Sequence, residues 1–358
     1  MRSSGIGSKR AARLARDARA VSAVIAAGFA LACGGCHDWD QFTRPYVAPD
    51  GSAPRDASAG AVRGSEQGNF ACPRPHALVP VSDARGPRIE RVPLAGGSCA
   101  PLRLWGFNDD EPVRAVAVQG SRVVAVGDLG ACVLEVSDAE IRGNFAPFPG
   151  RGEVRDALVF DDGRPRFAAA VAIGTSSAIN HLFVEDDNGE LTRDITTTTS
   201  PRIPAAFGSA TMRSISSEPN APYRLYAVLE QADYLVSALP NGSERRAVLS
   251  NSAPDLYEAV SAGAPNAMGQ PVVAMVPRGT NIDRFDAHAR SIRFSMIACS
   301  PCRSLRHVVP ANSEELTYAV LCTNQSDSYG LYLRGSSSCG EAIATWSPPA
   351  LVGRMAVR

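Results

Sequence analysis

A chain of 358 residues, 45% hydrophobic and 20% charged, is long enough to bury a large core, and its balance excludes wholesale disorder. Its 36 basic and 36 acidic residues cancel, but six of the basic ones (Arg2, Lys9, Arg10, Arg13, Arg16, Arg19) and a single acid, Asp17, precede Cys33. The remainder holds 30 basic (36 − 6) and 35 acidic (36 − 1) residues, a net of −5, which argues against a nucleic-acid partner.

From the N-terminus, a polar, basic stretch of 20 residues leads into Val21–Ala32, an unbroken run of apolar and small residues that ends at Cys33. This is the layout of a secretory signal peptide over residues 1–32. Twelve helical residues rise about 18 Å, short of a hydrocarbon core of about 30 Å, so the run is a cleavable signal and not a permanent span.

The residues before the cysteine, Phe29-Ala30-Leu31-Ala32, resemble the lipobox of bacterial lipoproteins. That resemblance implies a diacylglycerol on the Cys33 sulfur, cleavage after Ala32, and acylation of the new amino terminus by a fatty acid such as palmitate. Several acyl chains on one residue give stable membrane anchoring where one is marginal. Gly34 follows the cysteine, with no Asp there, and by the same resemblance this favours the outer membrane of a Gram-negative envelope. The same residues also spell C-x-x-C-H (Cys33, Cys36, His37), the attachment signal of a c-type haem. Position at a cleavage site, and the Pro- and Gly-rich stretch that follows, favour the lipid.

Residues 33–69 have linker composition, rich in Pro, Gly, Ala, Ser and Asp and without apolar periodicity, and are expected to be a flexible tether. Residues 70–358 are expected to be all-β. An apolar strand, a turn and a second apolar strand recur from Val113, Val154, Met212, Tyr257 and Leu305, and a sixth opening strand starts at Gly353. Matched positions Arg114, Arg155, Arg213, Tyr257, Arg306 and Arg354 lie 41, 58, 44, 49 and 48 residues apart. Periods of 40–50 residues built of short strands indicate a β-propeller, here of about six four-stranded blades. The unfinished last strand is expected to join residues 76–107 and close the ring. The chain thus resembles propeller-bearing bacterial lipoproteins, with no WD, kelch or Asp-box motif to mark a subfamily.

Eight cysteines follow Cys33, and export makes disulfides the expectation for Cys72, Cys99, Cys299, Cys302, Cys322 and Cys339. Cys72 and Cys99 could staple the closing blade, and Cys322 and Cys339 flank one hairpin. Cys299-Ser300-Pro301-Cys302 is expected to form a tight-turn disulfide, because no second C-x-x-C offers a zinc site and no helix follows to make a redox centre.

No catalytic constellation, metal set or other cofactor site emerges. The five histidines lack metal spacing, and no G-x-S-x-G elbow is present. The densest acidic cluster, Asn108-Asp109-Asp110-Glu111, is expected to be a solvated loop. The one recurring polar feature is the arginine set, Arg114, Arg155, Arg213, Arg306 and Arg354. First strands of propeller blades line the central channel, so these five could ring an anion-binding opening; ordinary ion pairing at strand entrances is the simpler expectation. The sequence therefore favours a lipid-anchored binding or scaffolding protein of the cell envelope, with envelope proteins or polymers as partners. A propeller hydrolase or lyase acting on an extracellular polymer is the alternative, and the haem protein the second.

Overall fold

The computed structural model describes residues 62–147, 153–161, 165–173, 177–185, 191–193, 212–219, 224–229, 235–239, 244, 246–249, 257–263, 272–277, 281–286, 291–297, 299–312, 317–335 and 338–358. The expected signal peptide, residues 1–32, and Cys33, Cys36 and His37 lie outside them. The described residues are all-β and contain no helix.

Four strands precede the repeats: β1 (Val62–Gln67), β2 (His76–Asp83), β3 (Gly86–Pro93) and β4 (Leu102–Arg103). The first blade is β5 (Val113–Gln119), β6 (Arg122–Gly127), β7 (Gly130–Val136) and β8 (Glu140–Pro147). The second is β9 (Glu153–Asp161), β10 (Pro165–Ile173), β11 (Ser177–Glu185) and β12 (Leu191–Arg193). The third is β13 (Met212–Ser217), β14 (Leu225–Leu229), β15 (Leu235–Ala238) and β16 (Arg246–Leu249). The fourth is β17 (Tyr257–Gly263), β18 (Val272–Pro277), β19 (Asn281–Asp286) and β20 (Ser291–Ile297). The fifth is β21 (Ser304–Asn312), β22 (Thr317–Thr323), β23 (Tyr329–Arg334) and β24 (Cys339–Trp346), after which come β25 (Leu351–Val352) and β26 (Ala356–Val357).

Each of the five blades is an antiparallel meander of four consecutive strands. The expectation of about six such blades is corrected to five. The remaining sheet has a different make: it runs β25-β2-β3-β4, with β26 also pairing β2, so it joins the two ends of the described chain. The first strands touch in sequence, β5 to β9, β13, β17, β21, then β26, and β26 touches β5 again, so the ring is closed.

Stacking explains why these strands read as continuous apolar runs and not as alternations. Val123, Val124, Ala125 and Val126 of β6 are all fully buried, because both faces of the blade meet neighbours. Each core lies between two sheets. Leu78, Ile89 and Leu102 of the composite sheet pack with Val123, Leu134 and Ile141 of the first blade. Val124, Ala131 and Val133 of the first blade pack with Val154, Ala157 and Val159 of the second. Ala77, Val79 and Val81 pack with Ala319, Leu321 and Leu331 of the fifth blade.

Closure depends on a close backbone approach. Arg354 N–H donates to the Arg114 carbonyl (2.8 Å), and Val116 N–H donates to the Arg354 carbonyl (2.9 Å). A Cβ on Gly353 would lie 2.4 Å from the carbonyl oxygens of Val113 and Arg114, so only glycine fits.

Two sequence expectations are altered by packing. Residues 62–67, given to the linker, form β1 on the outer edge of the first blade, paired with β8. Its polar sequence carries no strand pattern; Trp105 lies over Gly64 of β1 and Gly143 of β8, and a Cβ at either glycine would collide with the indole. The disulfides join Cys72 to Cys99, Cys299 to Cys339 and Cys302 to Cys322. The tight-turn Cys299–Cys302 pair and the Cys322–Cys339 pair are therefore not formed. Instead, both cysteines of the C-x-x-C reach across the fifth blade, stapling its entrance to β22 and β24. Cys132 is a buried free thiol whose pKa burial pushes up to about 12, an inert core residue. Three disulfides indicate an oxidising, exported environment.

Candidate functional site

The first strands of all five blades share one irregularity. In each, a single residue near the start is skipped by the ladder as a β-bulge. The skipped residue is Arg114 in β5, Arg155 in β9, Arg213 in β13, Glu258 in β17 and Arg306 in β21. A bulge leaves its extra residue unpaired, bends the strand and re-aims the side chain. Here it delivers five side chains to the same end of the channel. A sixth, Arg354, comes from the stretch between β25 and β26 and bridges to Ala115.

All six residues line one open cavity of about 600 Å³. The structure thus brings together every arginine of the sequence set. Sequence matching placed Tyr257 at the fourth position; the bulge between Tyr257 and Ala259 places Glu258 there instead, and Tyr257 is buried beneath it. Pro112, Val113, Val154, Tyr329, Leu351, Val352 and Gly353 complete the lining. Among the described lining residues, the charged groups are five arginines and one glutamate.

The guanidinium groups are held, not loose. Arg114 donates from Nε (3.0 Å) and Nη2 (2.7 Å) to the two oxygens of Asp128, a bidentate pair. Arg354 donates to Asp156 Oδ2 (2.7 Å) and to the Glu258 carbonyl (2.8 Å). Arg306 lies over the Tyr329 ring, 5.8 Å from its centroid, in cation–π contact. The simpler expectation of ion pairing with neighbouring acids thus holds for Arg114 and Arg354, and pairing and convergence coexist.

Beneath the mouth a polar belt runs from strand to neighbouring strand around the channel. In the second, third and fifth blades the residue after the bulge is polar: Asp156, Ser214 and His307. Asp156 accepts four hydrogen bonds, from Ser214 Oγ (2.6 Å), the backbone N–H of Ile215 (3.0 Å) and of Ala157 (2.9 Å), and Arg354. His307 Nε2 and Ser261 Oγ are hydrogen-bonded at 3.1 Å. Burial pushes His307 down to about 4, Arg354 adds to this, and Asp156 opposes it, so the imidazole is neutral at pH 7.

The Ser261–His307 pair invites comparison with a nucleophile and its base. Geometry does not support it. Asp156 is filled by four donors and makes no hydrogen bond to the imidazole, and both Ser261 and His307 are buried. The belt ties four blades and the composite sheet together. Beyond it lies a second cavity of about 330 Å³, lined mainly by Val, Ala, Ile and Ser of the same first strands. Among the described residues no group of three or more His, Cys, Asp or Glu could hold a metal ion.

The acidic cluster at 108–111 is not wholly solvated. Glu111 is only 4% exposed; its carboxylate accepts from the Leu129 N–H (2.9 Å) and sits where a Cβ on Gly127 would be. Burial, followed by the neighbouring Asp128 and Asp110, pushes its pKa up to about 7, against the pull of its backbone donors. Sequence reasoning missed this group and the belt. The available signal for the belt was a polar residue directly after the arginine, inside a strand otherwise apolar.

No protein-family model matches the chain, and no curated protein matches it. Solved structures do. A chain in the crystal structure of a nidogen/laminin complex is similar at a TM-score of 0.51, with 13% identity over 79% of this chain and 98% of that one. YCF48 bound to a D1 peptide is similar at 0.39, with 13% identity over 77% of this chain and 83% of that one. The WD40 domain of Neurospora crassa Pan2 is similar at 0.40, with 10% identity over 65% of each. At such identities the nidogen/laminin likeness bears on the fold alone, and it is a propeller-type fold.

Proposed function

We propose that this chain is a lipid-anchored protein of the cell envelope whose propeller binds an anionic ligand at the arginine-lined mouth of its channel. One observation carries the reading: a bulge repeated in five blades sends four arginines and a glutamate into one cavity, where a fifth arginine joins them. Each bulge bends its strand as well as re-aiming a side chain, and the repeat sets all five re-aimed side chains at one end of the channel. Guanidinium groups match carboxylate and phosphate oxygens two at a time, and the Arg114–Asp128 pair already shows that geometry at the rim. The residues from Cys33 onward sum to −5, and against that background five arginines and one glutamate line this mouth, a local positive excess that would draw an anion to it.

Cys33 is the anchor in this reading, with residues 34–61 as the tether, and Gly34 favours the outer membrane. The disulfides support the exported compartment and do not bear on the lipid.

Two measurements test the proposal. Labelled palmitate is expected to enter the wild type, and Cys33→Ser is expected to lose the label and leave the membrane fraction. Equilibrium dialysis of the full chain against citrate is expected to show saturable binding that weakens steeply with added salt and drops in Arg213→Glu/Arg306→Glu. Citrate binding equal in wild type and double variant would overturn the site.

A further inference from the structure

The rim of the mouth is two-sided. Since the blades follow one another in chain order around the ring, its lining residues can be placed on arcs. Arg155, Arg213 and Glu258, from the second to fourth blades, form a polar arc. The opposite arc, from the fifth blade through the composite sheet to the first, carries Tyr329, Leu351 and Val352 beside Arg306, Arg354 and Arg114. Leu351 is 51% exposed, one of three exposed large hydrophobic residues among those described. A second, Leu129, adjoins Asp128, whose carboxylate holds Arg114 on that same arc.

Resting on the anion-site reading above, we propose that the occupant is an extended segment of a partner polypeptide in which acidic and apolar residues alternate. Three features of the mouth suit that chemistry. Successive side chains of an extended chain point to opposite sides, so alternation turns carboxylates to Arg155 and Arg213 on one arc and apolar groups to Tyr329 and Leu351 on the other. An inorganic anion or a phosphorylated sugar would satisfy the arginines and leave the apolar arc in water. The mouth and the second cavity beyond the belt share no lining residue, so the segment is expected to enter as a chain end or loop tip. The cavity, about 600 Å³, is within the size range of peptide and small-ligand sites.

The test is fluorescence polarisation with the full-length lipidated protein in detergent micelles. The probes are two labelled hexapeptides of equal charge, alternating Glu-Leu and alternating Glu-Ser. Inorganic phosphate and vesicles containing an anionic phospholipid are run as competitors. The Glu-Leu peptide is expected to bind about tenfold more tightly than the Glu-Ser peptide. Leu351→Ser should erase that preference, while Arg306→Ala should weaken both peptides and Arg306→Lys restore part of the loss. Thermal melting checks that each variant is folded. Equal binding of the two peptides, or displacement by vesicles alone, would overturn the polypeptide partner and leave the anion site standing. Failure of both peptides and of phosphate to bind would overturn both.

Discussion

The two cavities along the channel are lined by the same strands, yet one presents five arginines and the other mostly Val, Ala, Ile and Ser. What separates them is backbone register. Up to the bulge, the first strand of each blade turns a long polar side chain into the channel; past it, the ladder resumes and small residues fill the bore. The difference teaches that a single skipped residue, repeated around a ring, is enough to gather five arginines at one end of a packed core, where the other end carries two, Arg74 and Arg358. The belt between them is where the two regimes meet, and its residues serve the fold first.

The largest effect in breaking this comparison is expected at the belt. Asp156→Ala removes the acceptor of four donors and leaves Arg354 facing a half-buried gap, which should cost about 3–5 kcal/mol in denaturant unfolding. Next comes the staple of the fifth blade. Cys302→Ala/Cys322→Ala, which opens a link across a sequence separation of 20, should cost about 3 kcal/mol and lower the melting temperature.

Glu111 gives a smaller, pH-dependent effect. Its folded pKa of about 7 lies above its ordinary 4.5, so between those values the folded chain holds a proton that the unfolded chain releases. Its contribution therefore falls as pH rises from 4.5 to 7. His307 and His76, both lowered to about 4, act oppositely, losing stability as pH falls from 6.5 toward 4. Glu111→Gln isolates the carboxyl: relative to wild type it should gain on the order of 2 kcal/mol across pH 4.5–7 in paired urea titrations. A flat difference would mean that the carboxylate is not buried as described. The smallest stability effect belongs to the mouth. Arg306 is exposed and rests on Tyr329, so Arg306→Ala should shift unfolding by less than about 0.5 kcal/mol while weakening anion binding.

Much of this was legible in the chain. The strand–turn–strand repeats marked the propeller, and the spacing of five arginines marked the positions that now share a cavity. The fourth position was misplaced by one residue, because a bulge is the point where two-residue periodicity fails, and Tyr257 matched the apolar opening better than Glu258. Cysteine pairing was not legible: Cys299 and Cys302 are neighbours in sequence, but β22 and β24 bring Cys322 and Cys339 to them. Nor was β1 legible, since Val62–Gln67 has polar composition and owes its conformation to the β8 ladder and the Trp105 indole.

The central claim, that the arginine mouth is an anion site, is tested most directly by following arginine side-chain Nε–Hε signals in nuclear magnetic resonance during a citrate titration. The expected result is saturable shifts, at one common affinity, of the signals assigned by single substitution to Arg114, Arg155, Arg213, Arg306 and Arg354. Shifts confined to arginines elsewhere, or none at all, would contradict it.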